Sequence, residues 1–335
     1  MEQRTIGSLS VSVAGYGTNN FGMRIDKEQS LAVMDAAFDA GITLFDTADG
    51  YGGGKAEEWL GEAIASKRQE VVVATKFGWR GGADRQAALD SVDGSLRRLG
   101  TDYIDLLYLH RPHAETAIDE TVGVMGELVA AGKVREIGLS NVTASDITAF
   151  VEAADRLGVR RPACIEEQYH LLYRHPESEL IPRCSELGMT LVPFFPLANG
   201  LLTGKYKAGE APDSSTRLGW ALARTQAAGL GAKPSRAAEA GTITQDPLLV
   251  AMDWHPHDKY RVDLDVVEGL RALGAQSGRT MVELALGWLA AQPLVPSVIA
   301  GATTPAQVAA NAAASQCGLT ADEVATLDRL TAHAD

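Results

Sequence analysis

A regular spacing of strand-like runs constrains this chain more than any single motif. Short apolar runs rich in β-branched residues lie at 11–18, 42–48, 71–77, 104–110, 137–140, 164–169, 190–197 and 295–301. Each has the length and two-sided apolar character of a buried parallel strand. Between the ends of successive runs, Gly17 to Asp46 is 29 residues, Asp46 to Lys76 is 30, Lys76 to His110 is 34, His110 to Ser140 is 30, Ser140 to Gln168 is 28 and Gln168 to Phe194 is 26. About thirty residues make one strand with its returning helix. Eight such units, with no glycine-rich dinucleotide fingerprint after the first, predict an α/β fold of the closed (β/α)₈ TIM-barrel type rather than an open doubly wound sheet.

The segments between the runs carry helix punctuation. Asp26 with Gln29 opens a stretch in which Leu31, Met34, Ala37 and Phe38 share one face, and Gly41 closes it. Thr143 with Asp146 opens another, and Thr320 with Glu323 opens an extra C-terminal helix. Ahead of the first run, RTIGSLSVS reads as an N-terminal β-hairpin that plugs the barrel floor. The period breaks once, between Leu197 and Val295, where the chain becomes rich in Gly, Ala, Pro and Ser over residues 204–260. With few large apolar anchors, that long loop after strand seven reads as an excursion over the active face and not a separate domain. Residues 1–335 are therefore expected to form a single domain.

Composition narrows the function classes. Thirty basic against 43 acidic residues leave a net charge of −13, which repels nucleic acid and anionic lipid. Any anionic ligand must be held by local groups. The three cysteines, Cys164, Cys184 and Cys317, show no metal-ligand spacing, so no metal is expected and a cytoplasmic setting fits. The opening MEQRTIGSLS lacks the apolar core of a signal peptide, and no apolar run reaches the roughly 18 residues of a membrane span.

At the carboxyl ends of the runs stand Asp46, Lys76, His110, Asn141 and Gln168, joined by Tyr51 from the loop DTADGYGGG. In a barrel these ends converge on one mouth. Buried ionisable groups need partners, so Asp46 and Lys76 invite an ion pair. That pair could be structural only, and His110 alone could be a core residue. The chemical reading uses all four groups. A carbonyl accepting hydride gains negative charge on oxygen and needs a proton donor in a cationic setting. A phenol is a weak acid at neutrality, and a neighbouring ammonium favours its ionised form. Tyr51 would donate the proton, Lys76 would tune it, Asp46 would hold Lys76, and His110 would orient the carbonyl oxygen or shuttle the proton.

The motifs DTADGYGGGKAEEWLG, VVVATKFG, IDLLYLHRP, GKVREIGLSN and EEQYHLL resemble, in order, those of the aldo-keto reductase family. The likeness runs from Arg4 to about Ala314. It implies that Asp46, Tyr51, Lys76 and His110 are the catalytic tetrad and that a nicotinamide dinucleotide lies across the mouth. By the same resemblance Thr18, Asn19, Asp46, Ser140, Asn141 and Gln168 surround the carboxamide, and Phe194 stacks on the ring. Backbone groups near Leu197 and Asn199, with the cations Lys205 and Arg217, reach the phosphates. Gly301, Thr303, Gln307 and Asn311 hold the adenosine end.

Phe195 departs from a usual small hydroxylic residue. Thr303 and Thr304 stand where many members place a strong contact to the 2′-phosphate, so NADPH is the expected cofactor with NAD also possible. Phe21, Tyr51, Trp79, His110 and Trp220 are expected to touch a small carbonyl or sugar substrate, with His113 and Trp254 as further candidate walls. Three functions follow: NADPH-dependent reduction of an aldehyde or ketone; NAD-dependent oxidation of a sugar or alcohol at the same site; or a cofactor-sensing subunit with negligible turnover. The intact His110 favours an enzyme.

Overall fold

The computed structural model describes residues 1–79, 81–227 and 264–332. The described chain forms two compact units. The first comprises Met1–Tyr169, His175–Pro196 and Leu289–Gly318, and the second the described parts of His170–Arg174, Leu197–Trp288 and Leu319–Asp335.

In the first unit, β1 (Gln3–Ile6) and β2 (Leu9–Ser12) pair antiparallel as the expected hairpin. Eight parallel strands follow: β3 (Ala14–Gly17), β4 (Leu44–Asp46), β5 (Val72–Phe77), β6 (Ile104–Leu109), β7 (Val134–Ser140), β8 (Cys164–Gln168), β9 (Thr190–Phe194) and β10 (Val298–Ala300). Their order, β10-β3-β4-β5-β6-β7-β8-β9, is that of a nearly closed TIM barrel. Near the seam between its two ends, Leu191 N donates to Leu294 O at 2.8 Å. Helices α1 (Lys27–Asp39), α2 (Lys55–Ile64), α3 (Arg85–Leu99), α4 (Ile118–Ala130), α5 (Ala144–Leu157) and α6 (Leu180–Leu187) return the chain between strands. The capping boxes at Asp26–Gln29 and Thr143–Asp146 form as the sequence predicts.

Side chains alternate across each strand, so one parity of residues fills the interior. The hairpin's Ile6, Leu9 and Val11 pack there with Leu44, Val72, Ala74, Leu106, Val192 and Ile299. Burying one such side chain is worth about 1.5–3 kcal/mol. Polar ties hold the hairpin in place. Ser8 N donates to Glu136 Oε1 at 3.0 Å, and Arg160 pairs with the same oxygen at 2.6 Å. Arg4 Nη1 donates to Ala290 O at 2.7 Å and Val295 O at 2.8 Å, fastening the hairpin to the chain that leads into β10.

The second unit contains α7 (Arg217–Ala227) and the helices Leu264–Ser277 and Ala321–Thr331. The last is the predicted C-terminal helix, with its Thr320–Glu323 capping box and an Arg279–Glu323 ion pair at 3.0 Å. Of the predicted excursion, residues 204–227 are described and include α7; residues 228–260, with Trp254, lie outside the described residues. Among the described residues no helix is long and apolar enough to cross a membrane.

Candidate active site

The site begins where β4 ends. Thr18 donates to Asp46 O through both its N at 2.9 Å and its Oγ1 at 3.0 Å, fixing the strand terminus. The chain then turns through the short 3₁₀ segment Tyr51–Gly54. Gly52 has φ +57°, and a Cβ there would run into the Phe21 carbonyl oxygen, so only glycine fits this bend. The turn brings Tyr51 back over the strand ends.

Lys76, 1 % exposed near the end of β5, is the centre of the arrangement. Its Nζ hydrogen-bonds to Asp46 Oδ1 and to Thr47 O, the latter at 3.0 Å. Glu166 Oε2 lies 3.1 Å from the same nitrogen. The Tyr51 ring centroid is 5.5 Å from Nζ and that of Tyr108 is 5.6 Å. Burial works against the charge on Lys76, but Asp46, Glu166 and Tyr51 outweigh it and hold the ammonium protonated. Burial pushes the Asp46 carboxyl up while Lys76 pulls it down. Burial, then the Asp46 charge, pushes the Glu166 carboxyl up to about 8 against the pull of Lys76. The Tyr108 phenol is raised by burial and by Cys164 and Glu166.

His110 meets Tyr51 edge-on, with ring centroids 6.1 Å apart and planes at 79°. Trp79 covers it at 4.7 Å and carries the Arg111 guanidinium over its own ring at 5.0 Å. Asn141, left-handed at φ +55°, donates from Nδ2 to His110 O at 2.9 Å and to Ser140 Oγ at 3.1 Å. Ser140 Oγ in turn donates to Glu166 O at 2.8 Å. Gln168 lies on the same strand parity as Glu166, and Phe194 pairs with it in the register of β8 and β9. Asp46 from the end of β4, Lys76 from β5, Tyr51 from the turn and His110 from just past β6 thus gather with Tyr108 and Glu166, the Tyr51 phenol lying beside a fixed ammonium.

A family model described as the Aldo/keto reductase family matches residues 14–332. The chain belongs to the aldo/keto reductase family. Among curated proteins it is similar to a probable voltage-gated potassium channel subunit beta of Oryza sativa subsp. japonica, 33 % identical over 324 residues, which span 93 % of this chain and 90 % of that protein. A protein of the same description from Arabidopsis thaliana is 32 % identical over 324 residues, with the same coverage.

In this aldo/keto reductase the residues expected around a cofactor fall in both units. Within the first, Gly301 packs beside Asn19 and Asn20, and Tyr16 Oη and Asn20 Nδ2 donate to Ala302 O at 3.0 and 3.3 Å. Thr304 caps the helix Pro305–Ala314, and Gln307 Oε1 accepts from Thr303 N at 2.8 Å and Thr303 Oγ1 at 3.2 Å. Asn311 is buried on that helix. Phe194 and Phe195 meet edge-on at 5.1 Å, and Phe195 holds φ +53°, a conformation costly for a bulky residue.

Within the second unit, Leu197 precedes the 3₁₀ segment Ala198–Thr203, and Asn199 Oδ1 accepts from Arg217 Nε at 2.9 Å. Lys205 Nζ sits 5.2 Å from the Tyr206 ring centroid, and Arg224 covers Trp220 at 5.4 Å. Phe21, expected as a substrate wall, is fully buried with its ring against Tyr16 and Trp59 at 6.0 and 6.4 Å. Its position is one of core packing. His113 is likewise engaged, through Nε2, with Gly78 O.

Sequence reasoning missed Glu166 and Tyr108, which face Lys76 from inside the barrel. The available signal was parity: Glu166 stands two before Gln168, and Tyr108 two before His110, so each shares the inward face of the residue that was chosen.

Proposed function

We propose that this protein reduces an aldehyde or ketone to the alcohol with NADPH, with Tyr51 as the proton donor. The observation that carries this reading is the Lys76 ammonium, buried against Asp46 and 5.5 Å from the Tyr51 ring, with His110 edge-on to the same ring. Charge developing on a carbonyl oxygen beside Tyr51 would be met by the phenol proton, and Lys76 would stabilise the phenolate left behind. His110, steadied by Trp79 above it, would orient the oxygen through its imidazole.

The donor set suits a nicotinamide. A carboxamide needs a donor and an acceptor, and the side-chain amides of Asn141 and Gln168 each offer both. When bound, the reduced nicotinamide supplies the hydride. Ser140 and Asn141 would hold the carboxamide, Phe194 would support the ring, and Thr303, Gln307 and Asn311 would take the adenosine end, with Lys205 and Arg217 as its expected phosphate cations. Cys164 and Cys184, buried thiols outside any disulfide, suit a reducing cytoplasm. Turnover of an aromatic aldehyde with NADPH and with NADH tests the proposal; the expected result is oxidation of NADPH faster than NADH. Faster oxidation of NADH would favour the NAD-dependent sugar or alcohol dehydrogenase.

A second reading is supported by the relatives named as potassium channel subunits. In it, the protein binds cofactor and turns over negligibly, as part of an assembly. Cofactor binding without turnover across a panel of aldehydes, ketones and sugars would favour it.

A further inference from the structure

Lys76 is held by more than its expected partner. An ion pair needs one carboxylate, yet two converge on this ammonium: Asp46 from the end of β4 and Glu166 from within β8. Glu166 is 2 % exposed, so its oxygens exchange little with water. The two carboxylates differ in how they meet the nitrogen. Asp46 Oδ1 accepts an aligned hydrogen bond, as does Thr47 O. Glu166 Oε2 is within ion-pair distance at 3.1 Å but accepts no aligned hydrogen bond among the described residues. The Lys76 ammonium favours the ionised carboxylate, but burial and the neighbouring Asp46 charge work the other way and suit this carboxyl to carrying a proton itself.

We propose that Glu166 is a positioning residue that clasps Lys76 opposite Asp46 and, by gaining or losing a proton, sets the net charge facing Tyr51. With Glu166 protonated, Asp46 and Lys76 cancel and the cluster is neutral. With Glu166 ionised, the cluster carries one negative charge, and Tyr51 gives up its proton less readily. The groups facing Glu166 are Asp46 on β4, Lys76 on β5, Tyr108 on β6 and Cys164 on its own strand, with Glu167 adjacent; Tyr51 reaches Lys76 from the turn after β4. Glu167 points the other way, accepting from Val142 N at 2.7 Å, and adds to the repulsion without touching Lys76. Tyr108 and Cys164 are both held neutral by burial, which leaves Asp46 and Lys76 as the partners that decide. The switch lies near the position to which burial pushes this carboxyl, about 8. No bond other than that to the proton forms or breaks.

The inference deepens the reductase reading and rests on it, and its test separates the two. Glu166→Gln keeps the size of the side chain and an oxygen for Lys76 but cannot ionise. In aldehyde reduction with NADPH, the parent's alkaline fall of kcat/KM should set in as Glu166 ionises near 8; in Glu166→Gln that fall should be absent there and the limb should move up to the point where Tyr51 itself ionises, with KM for NADPH little changed. An unmoved limb would overturn the proposal. If neither protein turns over, the reductase reading fails while the charge relationship is still read directly. Ultraviolet difference titration of each protein against its Tyr51→Phe counterpart isolates one phenol, whose midpoint should fall by about one unit in Glu166→Gln. An unchanged midpoint overturns the proposal whatever the activity. Should Glu166→Gln not fold, infrared difference spectra of the unaltered protein with isotope-labelled glutamate should show a buried carboxylic acid that ionises near 8. Absence of that band would be equally decisive against it.

Discussion

Asn141 Nδ2 donates to the main-chain oxygen of His110 at 2.9 Å, so the residue that leaves β7 fixes the residue that leaves β6. Asn141 does this from a left-handed backbone, φ +55°, that costs asparagine less than alanine. Two substitutions separate these contributions. Asn141→Gly is predicted to lose about 1 kcal/mol with the side-chain bonds, and Asn141→Ala to lose about 1–2 kcal/mol more through the backbone. Denaturant unfolding measures both. Equal losses would show that the backbone conformation carries no cost here.

Tyr51→Phe is predicted to keep the fold and the cofactor affinity while lowering kcat by about 10²–10⁴-fold, the usual cost of removing a general acid. Lys76→Met goes further. It strands Asp46 and Glu166 beside each other without their cation, so a stability loss of about 3–5 kcal/mol should accompany the loss of turnover. Steady-state kinetics and thermal unfolding on both variants give the comparison; a fully active Tyr51→Phe would remove Tyr51 from the chemistry.

Gly138, on β7, is predicted to resist even one added carbon. A Cβ there would stand 2.6 Å from the Tyr108 ring and 3.1 Å from Cys164 Sγ. The ring would have to move, and it packs 5.6 Å from the Lys76 ammonium. Gly138→Ala should therefore destabilise the fold by about 1–3 kcal/mol and lower turnover through Lys76. Calorimetric melting of the variant provides the check, and an unchanged melting temperature would mean that Tyr108 has room to yield.

His170 gives a prediction in acid. It is fully buried, and burial lowers its pKa to about 3. The geometry agrees, because Nδ1 accepts from Leu172 N at 3.2 Å and must be unprotonated to do so. A base whose folded pKa lies below its unfolded value of 6.5 contributes stability that is fully present above 6.5 and is lost as pH falls toward 3. Its share of the loss is predicted at up to about 1.4 kcal/mol per pH unit in that window. Denaturant midpoints between those limits should slope less steeply in His170→Gln than in the parent. Parallel slopes would assign the acid sensitivity to other groups.

The barrel was legible because its information is periodic. Strand ends such as Asp46, Lys76 and His110 recur at the length of one strand–helix unit, and caps such as Asp26–Gln29 are local chemistry that needs no tertiary context. Glu166 was not legible by the same route. Spacing marks strand termini, while Glu166 lies inside β8 in CIEEQ, where adjacent glutamates look alike but face opposite sides, one toward Lys76 and one toward Val142 N. The burial of Phe21 was hidden for a related reason. A loop position suggests exposure, yet Phe21 is fully buried with its ring against Tyr16 and Trp59. In both cases the deciding fact was direction, which spacing along a chain does not encode.

The pairing of β3 with β10 bears on how the molecule comes into being during synthesis. Ala14 lies opposite Val298 and Tyr16 opposite Ala300, and Tyr16 Oη reaches Ala302 O. A ribosome adding about 5–20 residues per second would take roughly 15–60 s to deliver β10 after β3. Throughout that interval one edge of β3 has no strand beside it, and an unpaired edge is a template for other chains. Ser12 and Thr43 already bridge β2 to the approach of β4, through Ser12 N to Thr43 Oγ1 and Thr43 N to Ser12 Oγ, so the early strands can assemble before the seam exists. Closure then falls to the last βα unit, and a chain halted before β10 would be left as an open sheet in search of a neighbour.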